Sequence, residues 1–240
     1  MNALEVENLA AGHGLLMAVR GVSFRVPEGS ALAVVGANGA GKTTLFRTIA
    51  GAHRAEKGRV LLAGQDVGAL SAPKRVAAGI AMVPEGRRLF GDMTVLENLR
   101  VAGEHGRAGE WTLDTVLDAL PTLKPLLHRP AEVLSGGQRQ AAAIGRSLMC
   151  NPKVLLLDEV SLGLSPVAVD GLYQSLALLR SAGITMVVVE QDLDRILGFA
   201  DRVVCMLEGR IVLDGAARAL ARDDITAAYF GLEAVAGEPS

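Results

Sequence analysis

The sequence predicts an α/β fold: a mostly parallel sheet covered by helices on both faces. Three observations carry this. Short runs at 31–35, 80–83 and 154–157 are apolar throughout, and 185–189 apart from its first residue, Thr185, as strands buried on both faces are, and they alternate with stretches of helical periodicity. The first of them passes directly into a glycine-rich loop followed by a helix. The chain has 240 residues, 50% of them hydrophobic, enough to bury roughly 70–75% of its unfolded surface without disulfides.

In chain order, 22–26 and 31–35 read as strands separated by a turn at Pro27, Glu28 and Gly29. A helix is expected over 42–50, a strand over 59–63 between Gly58 and Gly64, and another over 80–83. From Thr94 to about Asn151 the apolar residues recur at helical spacing, with Leu113, Val116, Leu117 and Leu120 on one stripe, which predicts an all-helical insert. The last third returns to alternation: strand 154–157, a helix carrying Leu172, Leu176 and Leu179, strand 185–189, a short helix, then strands near Val203 and Ile211. Residues 233–240 are expected to form a frayed tail.

Composition narrows the function. Twenty-four Lys and Arg against 26 Asp and Glu give a formal charge of −2, without the basic excess of phosphate-backbone binders, so a nucleic-acid partner is not expected. The N-terminus lacks Lys and Arg, carries Glu5 and Glu7 and has no long apolar core, so it does not read as a secretory signal, and a cytoplasmic chain is expected. No run approaches the 18 apolar residues of a membrane span. Cys150 and Cys205 lack partners at metal-ligand spacing and are expected to be buried, inert thiols. Glycine is abundant, at 28, whereas one Trp, two Tyr and five Phe are the only such aromatics.

Gly36 to Thr43 spells GANGAGKT, fitting G-x-x-x-x-G-K-[ST] between strand and helix. Gly36, Gly39 and Gly41 give backbone N–H groups room to turn around a polyphosphate. Lys42 supplies a cation for the β and γ phosphates, Thr43 a hydroxyl for Mg²⁺, and the helix N-terminus its partial positive charge. In VLLLDE, Asp158 and Glu159 end an apolar strand and point in different directions, where the ligand crevice of an open α/β sheet lies. Asp158 would hold Mg²⁺ and Glu159 would orient or deprotonate the attacking water. A second glycine cluster, LSGGQRQ, places the N-cap Ser135 before Gly136 and Gly137 at the start of an Ala-rich helix, forming a second anion site.

GANGAGKTT, LSGGQRQ and VLLLDE, in this order, resemble the nucleotide-binding subunit of an ABC transporter over nearly the whole chain. The resemblance implies a P-loop NTPase core of ABC type spanning 1–85 and 151–232, with an N-terminal antiparallel β subdomain and a helical subdomain at 86–150. It implies ATP and Mg²⁺ as ligands, with Asn38, Thr44 and Gln138 joining the nucleotide-binding residues. It also implies head-to-tail dimers, in which Ser135 and Gly137 of one subunit contact the γ-phosphate held by Lys42 of the other. The second subunit is either another copy or a related ATPase. Two membrane permeases and a periplasmic solute-binding protein complete such a system, with this chain peripheral on the inner face of the membrane.

Three departures narrow the resemblance. Glu85 stands where most members have Gln, Gln191 where a His is usual, and no tyrosine is available to stack on adenine, His13 being the nearest planar group. VPEGRRLF, VEQ and AYFG are similar to the ATP-binding subunit of branched-chain amino acid importers, which makes uptake of hydrophobic amino acids the leading expectation. Relatives importing urea, amides or short carboxylates are the alternative. A soluble ABC ATPase acting on nucleic acid and a non-hydrolysing nucleotide sensor are the rivals from other classes. Glu85 also reads as a plain exposed loop acid. Arg87 and Arg88 read as a solvated or partner-facing pair, and His53, His105 and His128 as surface residues.

Overall fold

The computed structural model describes residues 1–232, so the tail expected at 233–240 lies outside the described residues. In chain order the elements are β1 (Asn2–His13), β2 (Leu16–Pro27), β3 (Ala31–Val35), α1 (Lys42–Ile49), β4 (Lys57–Leu62), β5 (Gln65–Asp66), α2 (Ala72–Ala78), β6 (Ile80–Val83), α3 (Val95–His105), α4 (Leu113–Ala119), α5 (Gly136–Leu148), β7 (Val154–Asp158), α6 (Pro166–Ser181), β8 (Thr185–Val189), α7 (Leu193–Phe199), β9 (Arg202–Leu207), β10 (Arg210–Ala216) and α8 (Arg222–Phe230). The six-stranded sheet runs β10-β9-β3-β8-β7-β6, parallel except for β10 against β9. A four-stranded antiparallel sheet runs β2-β1-β4-β5.

The fold is the α/β architecture that the alternation predicts. β3, β7 and β8 are buried at every position, and their alternate residues enter two different cores. Leu155 and Leu157 of β7 join Leu99, Val116, Leu120, Ile144 and Leu176 on the helical side. Leu156 faces the other way, with Leu32, Val34, Leu45, Phe46 and the antiparallel sheet's Leu4 and Leu9. Helix starts are locally encoded. Thr94 with Glu97, and Ser135 with Gln138, form reciprocal capping boxes, and Ser165 caps α6 ahead of Pro166. Leu172, Leu176 and Leu179 are the buried stripe of α6.

β1, the two-residue β5, α2 and α8 are additions to the sequence reading. β1 has few β-branched residues, and its alternation breaks between Val6 and Leu9, where Asn8 adopts φ 47°. α2 and α8 bury one residue each, Arg75 and Ile225, so neither shows an apolar stripe. Cys150 departs from expectation in being only half-buried, while Cys205 is buried. Burial pushes both thiols up, Cys205 to about 11, which keeps them protonated.

Arg75 locks α1 behind the glycine loop. Its guanidinium donates to the carbonyls of Thr48 and Ile49 at the end of α1 (2.7 Å each), and to Leu70 (3.1 Å) and Gly68 (2.7 Å). Arg75→Ala orphans these acceptors, and urea denaturation is expected to show a loss on the order of 3 kcal/mol.

Candidate active site

The six-stranded sheet brings the carboxyl ends of β3, β8 and β7 side by side, and the candidate site is built there. After β3 the chain turns through Gly36, Gly39 and Gly41 at φ 149°, 84° and 100°. A Cβ on Gly36 would run into the Met206 carbonyl, and one on Gly41 into the Ala18 carbonyl. Gly39 faces open space and is required by its backbone conformation alone. Gly41 starts α1 without a side-chain cap, so the first-turn N–H groups have no partner within the helix.

Lys42 is 4% exposed. Its Nζ donates to the carbonyls of Gly36 (2.6 Å) and Ala37 (3.0 Å) and lies 3.8 Å from Glu159 Oε1. Burial lowers its pKa, opposed by the attraction of Glu159 and Asp158. An ammonium inside the loop is thus ready for an anion.

Asp158, at the end of β7, is 1% exposed, and neither carboxylate oxygen accepts a hydrogen bond among the described residues. Burial, reinforced by Glu159 and Glu85, pushes it up to about 6. A buried carboxylate with two idle oxygens close to the Thr43 side chain fits a divalent cation. No cluster of three or more His, Cys, Asp or Glu suited to a metal exists among the described residues. The donor set therefore suits a cation that arrives with phosphate oxygens and keeps its waters, as Mg²⁺ does.

Glu159 adopts φ 46°, a left-handed conformation costing a non-glycine residue about 1–3 kcal/mol. It is held there from β8: its N–H donates to the Val189 carbonyl (3.0 Å), and its Oε2 accepts from Gln191 Nε2 (3.1 Å). Asp158 and Glu159 thus diverge, one into the interior and one into the crevice. Asn38, Gly39, Gly41, Lys42, Thr43, Thr44, Glu85, Glu159 and Gln191 line a common cavity of about 470 Å³, with Gly36 and Asp158 forming the structure behind it. Leu162 and Ala18 complete the wall, and the sequence reading singled out neither.

The second glycine cluster lies elsewhere. Ser135 Oγ accepts from the Gln138 N–H (3.3 Å) and Gln138 Oε1 accepts from the Ser135 N–H (2.9 Å), leaving Gly136 and Gly137 as the first-turn donors of α5. None of these four residues lines the cavity around Lys42; Gly137 and Gln138 border a groove between α5 and α6. His13 also stands outside that cavity lining, exposed at the end of β1. Its ring lies 4.6 Å from that of His53, whose Nε2 donates to the Gly12 carbonyl (2.9 Å), so His53 is half-buried rather than a free surface residue. His105 and His128 are exposed.

Arg87 differs from the solvated or partner-facing reading. It is half-buried, donating to Gln140 Oε1 on α5 (3.1 Å) and to the Leu162 carbonyl (3.3 Å), while Arg146 holds the carbonyls of Arg88 (2.7 Å) and Arg87 (3.2 Å). Arg88 is exposed. Glu190, a buried acid at the end of the apolar β8, also escaped notice. The signal available was an acid directly following an apolar run.

A family profile described as "ABC transporter" matches residues 19–161. The chain is 38% identical over 231 residues to the high-affinity branched-chain amino acid transport ATP-binding protein BraG of Pseudomonas aeruginosa, covering 95% of this chain and 99% of that protein. It is 34% identical over 220 residues to the probable branched-chain amino acid transport ATP-binding protein LivF of Archaeoglobus fulgidus, covering 90% and 93%. Among solved structures, a nucleotide-free ATP-binding cassette from an ABC transporter superposes with a TM-score of 0.82 at 31% identity, covering 94% of each chain.

Asp158 gives a test with a definite sign. Its folded value, about 6, lies above the ordinary carboxylate value, so its ionisation destabilises the fold as pH rises through about 6. Asp158→Asn is therefore expected to unfold at a higher temperature than the parent at pH 7.5 without ligands. In the parent, the gain in nucleotide affinity from Mg²⁺ is expected to shrink by up to about tenfold per pH unit below 6. Titration calorimetry across pH checks this.

Proposed function

This chain belongs to the ABC transporter family, and from that premise we propose that it is the ATP-hydrolysing subunit of an importer for branched-chain or other hydrophobic amino acids. One observation carries the catalytic part: the glycine loop's Lys42 and the Gln191-held Glu159 line one crevice, with the unpartnered buried Asp158 behind it. Loop N–H groups and Lys42 bind the phosphates. Thr43 and Asp158 would hold Mg²⁺, which on binding neutralises phosphate charge and orients the transferred group. Glu159 accepts the proton of the attacking water. Gln191 orients that carboxylate but, as a neutral amide, takes no proton itself, so Glu159 is the main general base.

Ser135, Gly136 and Gly137 support the second half of the reading. Ser135 caps α5, and Gly136 and Gly137 present its first-turn donors away from the cavity around Lys42, so one chain offers two half-sites rather than a closed one. Two chains arranged head to tail would complete both sites with ATP between them, the partner being a second copy or a related ATPase. The adenine is assigned to the His13 side, and Glu85 to the rim near the cation. The solute class rests on the names of the relatives. No helix among the described residues is long and apolar enough to cross a membrane, and the reading gives that task to two partner permeases, served by a periplasmic solute-binding protein, with this chain on the inner face.

The test is steady-state phosphate release with Mg²⁺ and ATP. Glu159→Gln is expected to slow turnover by about 10²–10⁴-fold and to accumulate an ATP-bound dimer visible by light scattering. Hydrolysis at the parental rate would overturn the role of Glu159. Because the base is not gripped by a large aromatic ring, ATP and GTP are expected to bind within about tenfold of each other in equilibrium titrations.

A further inference from the structure

β8 delivers an acid that the mechanism above does not use. Glu190 is 2% exposed, and no salt bridge among the described residues reaches it. Its carboxylate is held chiefly by one residue from the loop after β7, with the adjacent Gln191 backbone N–H also close to it. The Ser161 N–H donates to Oε1 (3.2 Å) and the Ser161 hydroxyl to Oε2 (2.7 Å). A buried carboxylate without a counter-charge persists only where its hydrogen bonds are well met, and here both oxygens are occupied by one partner.

The location gives this pair a consequence. Residues 189–191 grip residues 159–161 at three successive points. Val189 holds the Glu159 N–H, Glu190 holds Ser161, and Gln191 holds the Glu159 carboxylate. Between the first two grips sits the left-handed backbone of Glu159. Such a conformation lasts only when its surroundings over-determine it. Beyond it the chain folds into a tight turn, with the Leu162 N–H donating to the Glu159 carbonyl (3.2 Å) and the Leu164 N–H to the Ser161 carbonyl (3.1 Å).

We propose that Glu190 is a positioning residue for hydrolysis: by clamping Ser161 it holds the 160–165 loop, and through it the backbone of Glu159, in the geometry that presents the base. This rests on the hydrolytic reading above. The carboxylate is required because it offers two acceptors to the two donors of Ser161. An amide keeps one acceptor for the Ser161 N–H, and its NH2 can face Ser161 Oγ only if the hydroxyl turns round to accept, so the pair of donor bonds that Ser161 makes to one carboxylate is lost. The clamp lies on the β7–β8 side of the crevice, whereas phosphate binding draws on the glycine loop and the start of α1. Loss of the clamp therefore moves the base and leaves nucleotide affinity intact.

The test compares Glu190→Gln, Ser161→Ala, their double variant and Ser161→Thr, which keeps the hydroxyl. Phosphate release, nucleotide Kd and unfolding temperature are measured for each. Glu190→Gln and Ser161→Ala are expected to lower kcat by at least about tenfold with Kd within twofold of the parent. The double variant is expected to be no slower than the slower single one, and Ser161→Thr to keep the parental kcat. If Glu190→Gln does not fold, the Ser161→Ala and Ser161→Thr pair decides alone. Parental kcat in Glu190→Gln and Ser161→Ala overturns the proposal while hydrolysis by the parent stands. So does a fall in kcat that only tracks a fall in unfolding temperature. A parent that releases no phosphate overturns the hydrolytic reading and this inference with it.

Discussion

A buried ammonium facing two carboxylates, one of them with no hydrogen-bond partner among the described residues, is the constraint around which the molecule is arranged. In the chain alone this arrangement is unfavourable. Lys42 is desolvated, with hydrogen bonds to two loop carbonyls and a loose ion pair to Glu159, and Asp158 is pushed up to about 6. Two apolar clusters, one on each face of the sheet, supply the stability that tolerates it. Strain and unpaired polarity gathered at one crevice, inside an otherwise consistent fold, are the signature of a site that is completed by its ligand.

The same economy explains why the base is held from the side. Glu159 cannot relax into a common backbone conformation because β8 holds the main chain before it, the loop after it and its own carboxylate. Gln191 Nε2 donates to that carboxylate, the contact behind the orienting role proposed for it. On this account the phosphate end of the site belongs to one chain and the donors of Gly136 and Gly137 to another. In the proposed pair, opening and closing would follow from different affinities of ATP and its products for the closed state.

Much of this was legible in the sequence where chemistry is local. β3, β6 and β8 follow their expected limits because runs apolar on both faces leave little choice. The glycine loop follows from a local rule, positive φ, and the split between Asp158 and Glu159 was expected from strand alternation but arises from the left-handed turn at Glu159, just past the end of β7. What escaped depends on meetings between distant segments. The grip of 189–191 on 159–161 exists only because β7 and β8 are neighbours in the sheet. His53 reaches the hairpin end beside His13, and Arg87 bridges α5 to the loop at Leu162, across separations that no spacing rule anticipates. β1, α2 and α8 escaped for a different reason: a broken alternation in the first and the lack of an apolar stripe in the other two.

The claim that each chain carries two complementary half-sites is tested most directly by specific ATPase activity as a function of chain concentration, with Mg²⁺ present and the association state followed by sedimentation. The account expects phosphate released per chain to rise with concentration and to level off as dimers form. A rate per chain that stays constant while sedimentation reports monomers throughout would contradict it.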